Sequence, residues 1–365
     1  MTTILLIFVT ALFFGSVGTP IARKVAIKSG FIALPKADRA HTEPTALMGG
    51  LAIYTAAISA LVLITAFATL SLGNVFRLGE FLSILVGASL MAAIGLWDDR
   101  RPLPAWGKLG LQVIPAVVVF VAGVQVDLPL LNIGIWDQAL NFLITVFWIL
   151  YITNAVNYLD NADGIAITTS ATTSAIFLLI AILNGQQLVS ILAAALLGAS
   201  LGFARYNLPL PKSTIFMGDS GSLFLGFIMA VLGIKIRIPA NAIQITWMVP
   251  VIVLGLPIFD TALVFISRTR RGISFFRGGV DHTTHRLARL GMDKLSVALA
   301  VGLINGALGL TAIFITQATL TEAYSIAAAL GVIVLYVLWR LELGASHTFR
   351  TGRPAVDDET ASVTR

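Results

Sequence analysis

The side chains able to do chemistry in this chain are few, and they sit in short polar blocks between long apolar stretches. Asp98 and Asp99 are adjacent in Gly95-Leu96-Trp97-Asp98-Asp99-Arg100-Arg101. Two neighbouring carboxylates bind a hard divalent cation, or supply a general base whose pKa the neighbour raises. They close an apolar stretch, where the helix macrodipole disfavours negative charge; a helix ending in water is the plain alternative. Asn157, Asp160 and Asp163 step by three. The first two would share a helical face, and residues 160–164 read as a turn, unless the block is only an Asx-rich helix end. With no cysteine in the chain, an amide and carboxylates suit Mg²⁺ better than Zn²⁺. Asp219 stands at an N-cap position before Ser220-Gly221-Ser222. Capping alone would explain it, yet backbone donors there also hold phosphate, and a metal ligand beside a phosphate cradle suits phosphoryl transfer. His282 and His285 share one face of a short amphipathic helix that carries Arg286 and Arg289 and stops at Gly291. The plain reading there is an interfacial helix on anionic lipid. Asp260, inside an apolar stretch, is expected to pair with a cation and is given no catalytic part; His347 is incidental.

These blocks need elements to position them. The chain has 365 residues, of which 57% are hydrophobic and 12% charged, with a mean hydropathy of +0.92. Soluble domains carry roughly a quarter charged residues, so an all-α polytopic membrane protein is expected. Eleven stretches have the length and apolarity of spans: 2–20, 46–70, 81–97, 109–126, 139–157, 165–183, 187–204, 219–234, 245–267, 295–317 and 321–340. Small residues such as Gly198 and Gly202 let helices approach closely, and Pro115, Pro250 and Pro257 are expected to kink theirs. Met1-Thr2-Thr3 carries no positive charge, so the first span is not read as a cleaved signal. An outside N-terminus and cytoplasmic C-terminus place 21 of the 24 Lys and Arg in inner loops. The net charge of +6 is thus topological, and no nucleic acid is invoked. Residues 1–342 are read as the transmembrane catalytic domain and 343–365 as a disordered cytoplasmic tail. All the polar blocks then fall on the cytoplasmic face. That crowding on one side, with no internal repeat, argues against the alternative of an ion-coupled transporter.

Five blocks in order resemble the polyprenyl-phosphate N-acetylhexosamine-1-phosphate transferases, glycosyltransferase family 4, over residues 20–295. They are Arg39-Ala40-His41-Thr42-Glu43-Pro44-Thr45 with Gly49-Gly50; Asp98-Asp99 with Lys108; Asn154 to Gly164; Phe216 to Ser222; and His282 to Leu287. The resemblance implies a membrane enzyme that transfers a sugar-1-phosphate from a UDP-sugar to polyprenyl phosphate and releases UMP, the initiating step of cell-envelope glycan synthesis. It implies Mg²⁺, with Mn²⁺ as a substitute, held by Asn157 and Asp219. Asp98 would contact or deprotonate the lipid phosphate, with Asp99 beside it near the metal and Lys108 as the cation that meets that phosphate. Asp160 and Asp163 would belong to the nucleotide pocket, His282, His285 and Arg286 to the diphosphate and sugar loop, and Arg39 and His41 to the substrate-binding set. Direct attack is favoured over a phosphorylated Asp219. The His-Arg-Leu ending lies closer to the N-acetylglucosamine-1-phosphate branch than to the muramoyl-pentapeptide branch, which stays the alternative. Two residues depart from the pattern: Thr284, where a third histidine is usual, and Asn161, where glycine is usual. A homodimer is a further partner state the resemblance allows, and a groove beside the proline-kinked ninth span is the expected seat of the prenyl tail.

Overall fold

The computed structural model describes residues 1–33, 44–72, 78–127, 135–239, 243–276 and 278–342. Arg39, His41 and the tail from 343 lie outside them. The elements in order are α1 (Thr2–Lys28), a hairpin of β1 (Ile32–Ala33) and β2 (Thr45–Ala46), α2 (Gly49–Leu72), α3 (Leu78–Arg100), α4 (Ala105–Val121), α5 (Ile135–Leu159), α6 (Ile165–Leu183) and α7 (Gln187–Asn207). There follow α8 (Gly218–Lys235), α9 (Ile243–Thr246), α10 (Met248–Val253), α11 (Gly255–Arg270), α12 (Thr283–Arg289), α13 (Lys294–Ile315) and α14 (Leu320–Glu342).

Every apolar stretch named above falls on helix, so the polytopic helical architecture follows from the hydropathy. The number of spans does not follow so simply. Among the described residues nine helices are long and apolar enough to cross a bilayer, or ten with the bent pair 244–253 and 255–270 taken as one. The fourth stretch is α4, only 17 residues long; at 1.5 Å per residue this is about 26 Å, short of the hydrocarbon thickness of about 30 Å. One helix runs through Pro115. In the ninth stretch, by contrast, the chain turns by 74° between α10 and α11, at Leu254, with Pro250 and Pro257 on either side.

The bundle is built around α8. All its side chains from Ser220 to Ile234 are buried, packed chiefly against α3 and α5 with α2, α7 and α10 around them. Close packing elsewhere uses the small residues seen in the sequence. A Cβ at Gly198 would collide with the Phe8 carbonyl of α1, and one at Gly202 with Leu12, so α1 and α7 meet backbone to backbone. Buried polar pairs pin other helices. Asn305 of α13 donates to Thr173 of α6 at 2.9 Å, and Ser170 meets Ser200 of α7 at 2.9 Å. Such interhelical bonds contribute about 0.6 kcal/mol each. The outer faces present Leu5, Val9 and Phe13 of α1, Phe147 of α5 and Leu303 and Leu310 of α13 to the surroundings, as a hydrocarbon solvent requires. No residue in the most apolar stretch of α14 is buried.

Candidate active site

The polar blocks come together where α3 and α5 end and α4, α8 and α12 begin. The first contact is between α3 and α8. Asp99 accepts the backbone N–H of Asp219 at 2.8 Å and that of Ser220 at 3.1 Å, one on each carboxylate oxygen. It therefore caps α8 from a neighbouring helix, satisfying donors that have no partner within the helix and placing negative charge at the positive end of its dipole. This corrects one expectation: Asp219 lies in the first turn of α8 instead of capping it. Asp99 lies directly against Asp219, with its carboxylate on the helix end. Glycines make the approach possible. Gly218 has φ +70° and a Cβ there would strike the Asp99 carboxylate; a Cβ at Gly95 would strike the Asp219 carbonyl. The β-hairpin brings in α2: Gly49 and Gly50 donate to the carbonyls of Phe216 and Met217 at 3.0 and 2.8 Å, and Phe216 donates to Ala46 at 2.9 Å.

With α8 held, its Asp219 side chain meets α4 and α5. The Lys108 ammonium pairs with Asp219 Oδ2 and, at 2.9 Å, with Asp98 Oδ2. The other oxygen of Asp98 accepts from Leu103 N at 2.6 Å. Asn157 Nδ2 donates to Asp219 Oδ1 at 2.9 Å and lies 2.8 Å from Ser222 Oγ. Asp98, Lys108, Asn157 and Asp219, drawn from four helices and up to 121 positions apart in sequence, thus form one polar cluster.

Past the end of α5, residues 160–164 turn as expected, with Gly164 at φ +81°. Asp160 is partly buried, and its carboxylate has no hydrogen-bond partner among the described residues. Burial, reinforced by Asp219, Asp99 and Asp163, pushes it up to about 8. Asp163 is buried and paired with Lys294 at the start of α13, at 3.0 Å. Asn161 donates to the Tyr158 carbonyl at 3.0 Å and accepts from the Thr284 hydroxyl of α12, so this turn touches the histidine loop directly.

In that loop α12 begins after His282 and Gly291 follows it at φ +93°, as the sequence suggests. His282 Nδ1 lies 2.7 Å from Asp260, which also accepts Thr283 N–H at 2.6 Å. The partner that the structure gives Asp260 is therefore a histidine, facing a wholly buried carboxylate. His285 lies alongside, ring centres 5.8 Å apart. Burial, His282 and Arg289 hold its imidazole below the usual range. Arg286 follows His285 by one position, about 100° round the helix. Its guanidinium donates to the Asp281 carbonyl (3.0 Å), Ser267 Oγ (3.1 Å), Glu342 (2.9 Å) and the Leu341 carbonyl. It clamps the end of α14.

Some neighbours of the site carry no sequence signal. Asp281 is held by Arg268 and Arg271; burial raises its carboxyl, but these two cations outweigh that and keep it below the usual carboxylate range. Phe275 and Phe276 pack edge-on against Tyr158 and Trp106, joining the loop after α11 to the residues on either side of the cluster.

No three His, Cys, Asp or Glu side chains among the described residues are grouped as ligands for one ion. The chemistry nevertheless fits a hard divalent cation. Lys108 is one ammonium between Asp98 and Asp219, while Asp99 and Asp160 add two further carboxyl groups near Asp219, that of Asp160 with no hydrogen-bond partner among the described residues. Asp219 and Asn157, with Asp160 beside them, are the residues that would hold it.

Residues 81–237, which contain most of this cluster, match the sequence profile of glycosyl transferase family 4. The chain is 31% identical over 309 residues to the decaprenyl-phosphate N-acetylglucosaminephosphotransferase of Mycolicibacterium smegmatis, covering 77% of this chain and 75% of that one. It is 29% identical over 323 residues, 88% and 87% of the two chains, to a probable undecaprenyl-phosphate N-acetylglucosaminyl 1-phosphate transferase of Bacillus subtilis. An undecaprenyl-phosphate alpha-N-acetylglucosaminyl 1-phosphate transferase of Escherichia coli is 25% identical over 286 residues, 75% and 73% of the two chains.

Proposed function

The chain belongs to glycosyl transferase family 4, and from that membership we propose that it transfers N-acetylglucosamine-1-phosphate from UDP-N-acetylglucosamine to polyprenyl phosphate at the cytoplasmic face of the cell membrane, releasing UMP. The names of the relatives support this sugar over the muramoyl-pentapeptide reading. The observation that carries the chemistry is the bridge of Lys108 between Asp98 and Asp219.

A phosphate oxygen of the lipid attacks the β-phosphorus of the nucleotide; the bond to the α-phosphate oxygen breaks and UMP leaves. Phosphoryl transfer asks little covalent work of a protein, so positioning and charge neutralisation dominate. Lys108 meets the acceptor phosphate. Asp98 receives its proton when the acceptor arrives as the monoanion. Asn157 fixes the orientation of Asp219, and the turn at Asp160 forms the nucleotide side. A bound Mg²⁺, or Mn²⁺ in its place, held by Asp219 and Asn157, would offset the charge of the diphosphate. Trp106, exposed and edge-on to Phe276, offers an apolar surface two positions before Lys108 on which a prenyl tail could lie.

The test is detergent-purified protein given UDP-N-acetylglucosamine, polyprenyl phosphate and Mg²⁺. Stoichiometric UMP and lipid-linked sugar are expected, and both vanish in Asp98→Asn. Equal turnover by that variant overturns the reading.

A further inference from the structure

The two positions where this sequence departs from the pattern it otherwise follows, Asn161 and Thr284, are 123 residues apart and are bonded to each other. The directions of that contact are fixed. Asn161 Nδ2 donates to the Tyr158 carbonyl at 3.0 Å, which leaves its Oδ1 as the acceptor. Thr284 has one hydroxyl proton and gives it to that oxygen. The hydroxyl lone pairs are then what Thr284 presents to His285 Nδ1, 3.3 Å away. A lone pair facing that nitrogen selects the tautomer with hydrogen on Nδ1 and leaves Nε2 as an acceptor. Thr284 is 2% exposed, so water does not compete for its hydroxyl. The neighbouring His282 is oriented through the same ring nitrogen, by Asp260.

We propose that Asn161 and Thr284 form a positioning relay that fixes the tautomer of His285, so that its Nε2 accepts a hydroxyl or amide N–H of the sugar nucleotide. The relay rests on the transferase reading for its substrate, but not for its hydrogen-bond geometry. It joins the nucleotide-side turn to the histidine loop through a neutral contact, in place of a third imidazole. Neither Asn161 nor Thr284 need touch substrate. Their effect is transmitted through the direction in which His285 accepts.

The test uses full-length protein labelled with ¹⁵N-histidine, a tractable probe because the chain has four histidines. Loss of one signal in His285→Asn assigns it. In the wild type His285 is expected to carry hydrogen on Nδ1; Thr284→Val shifts it toward Nε2–H, and Thr284→Ser restores it. In the transfer assay Thr284→Val and Asn161→Ala each raise the KM for UDP-N-acetylglucosamine about tenfold, the scale of one lost hydrogen bond, with kcat within twofold. The double variant is no worse than either single one. A wild-type His285 protonated on Nε2, or an unchanged KM in Thr284→Val, overturns the relay. Absence of any transfer by wild type instead overturns the assigned reaction, and the tautomer measurement still decides the relay.

Discussion

Asp99 receives the backbone N–H of Asp219 at 2.8 Å, so one of two adjacent carboxylates is devoted to the end of a helix. The pair Asp98-Asp99 therefore divides its work. Asp99→Ala is expected to lower stability by about 1 to 2 kcal/mol, the cost of a lost cap, visible as a drop in melting temperature in detergent. Asp98→Asn should leave that temperature nearly unchanged and abolish transfer. Equal effects of the two on melting would deny the division.

Lys108 is the ammonium shared by Asp98 and Asp219. Lys108→Met removes that charge, and transfer is expected to fall at least about 100-fold, as when a preorganised charge-stabilising donor is deleted. Lys108→Arg is not expected to restore it, because a planar fork cannot sit as a point charge between two carboxylates. The check is initial rate at saturating substrate.

Gly95→Ala forces a methyl group against the Asp219 carbonyl and is expected to cost about 1 to 3 kcal/mol with loss of activity. Gly79→Ala, on the same helix, meets nothing within 4 Å and serves as the control, neutral or slightly stabilising. Thermal melts of the two compare helix packing at the site with helix propensity alone.

The structure shows why some of this was legible in the sequence and some was not. Apolar length found every long helix, because hydrocarbon leaves the backbone no other partners, whereas the short α12 showed only in the spacing of its histidines and arginines. The crowding of carboxylates at stretch ends told correctly which helix ends converge, since buried charge is too costly to scatter. The fourth stretch was over-read: residues 122–126 are apolar enough for a span, but the helix stops at Val121. Asp98 and Asp99 look alike in the chain, and only the approach of α8 separates them. Asp260 and His282 are 22 residues apart with no periodic relation, so nothing in the spacing announces their bond. Arg286 reads as a free cation until the end of α14, 56 positions away, is seen against it.

The bond between Asp260 and His282 gives a further expectation. Asp260→Ala leaves Thr283 N–H and the imidazole without their buried acceptor, and is expected to destabilise by about 2 kcal/mol while reducing transfer. Asp260→Asn keeps an acceptor oxygen and should lose less. The ordering of the two melting temperatures decides this.

Acid gives a test of the loop that carries the histidines. The folded-state pKa of Asp281 is depressed, so its stabilising contribution is present above the unfolded value of about 3.9 and disappears as pH falls through the folded one. Wild type should melt higher than Asp281→Asn at pH 7, and the gap should close below about pH 3.9. A gap that persists in strong acid would mean that Arg268 and Arg271 are held by something other than that carboxylate.

Because α8 is enclosed by protein along fifteen consecutive residues, from Ser220 to Ile234, no acyl chain reaches the post that carries Asp219. Bilayers of different thickness then tilt and press only the peripheral helices. The distance from Asp98 to Asp219 is insulated from the lipid in which the protein happens to sit, whereas the entry of an acceptor from that lipid is not.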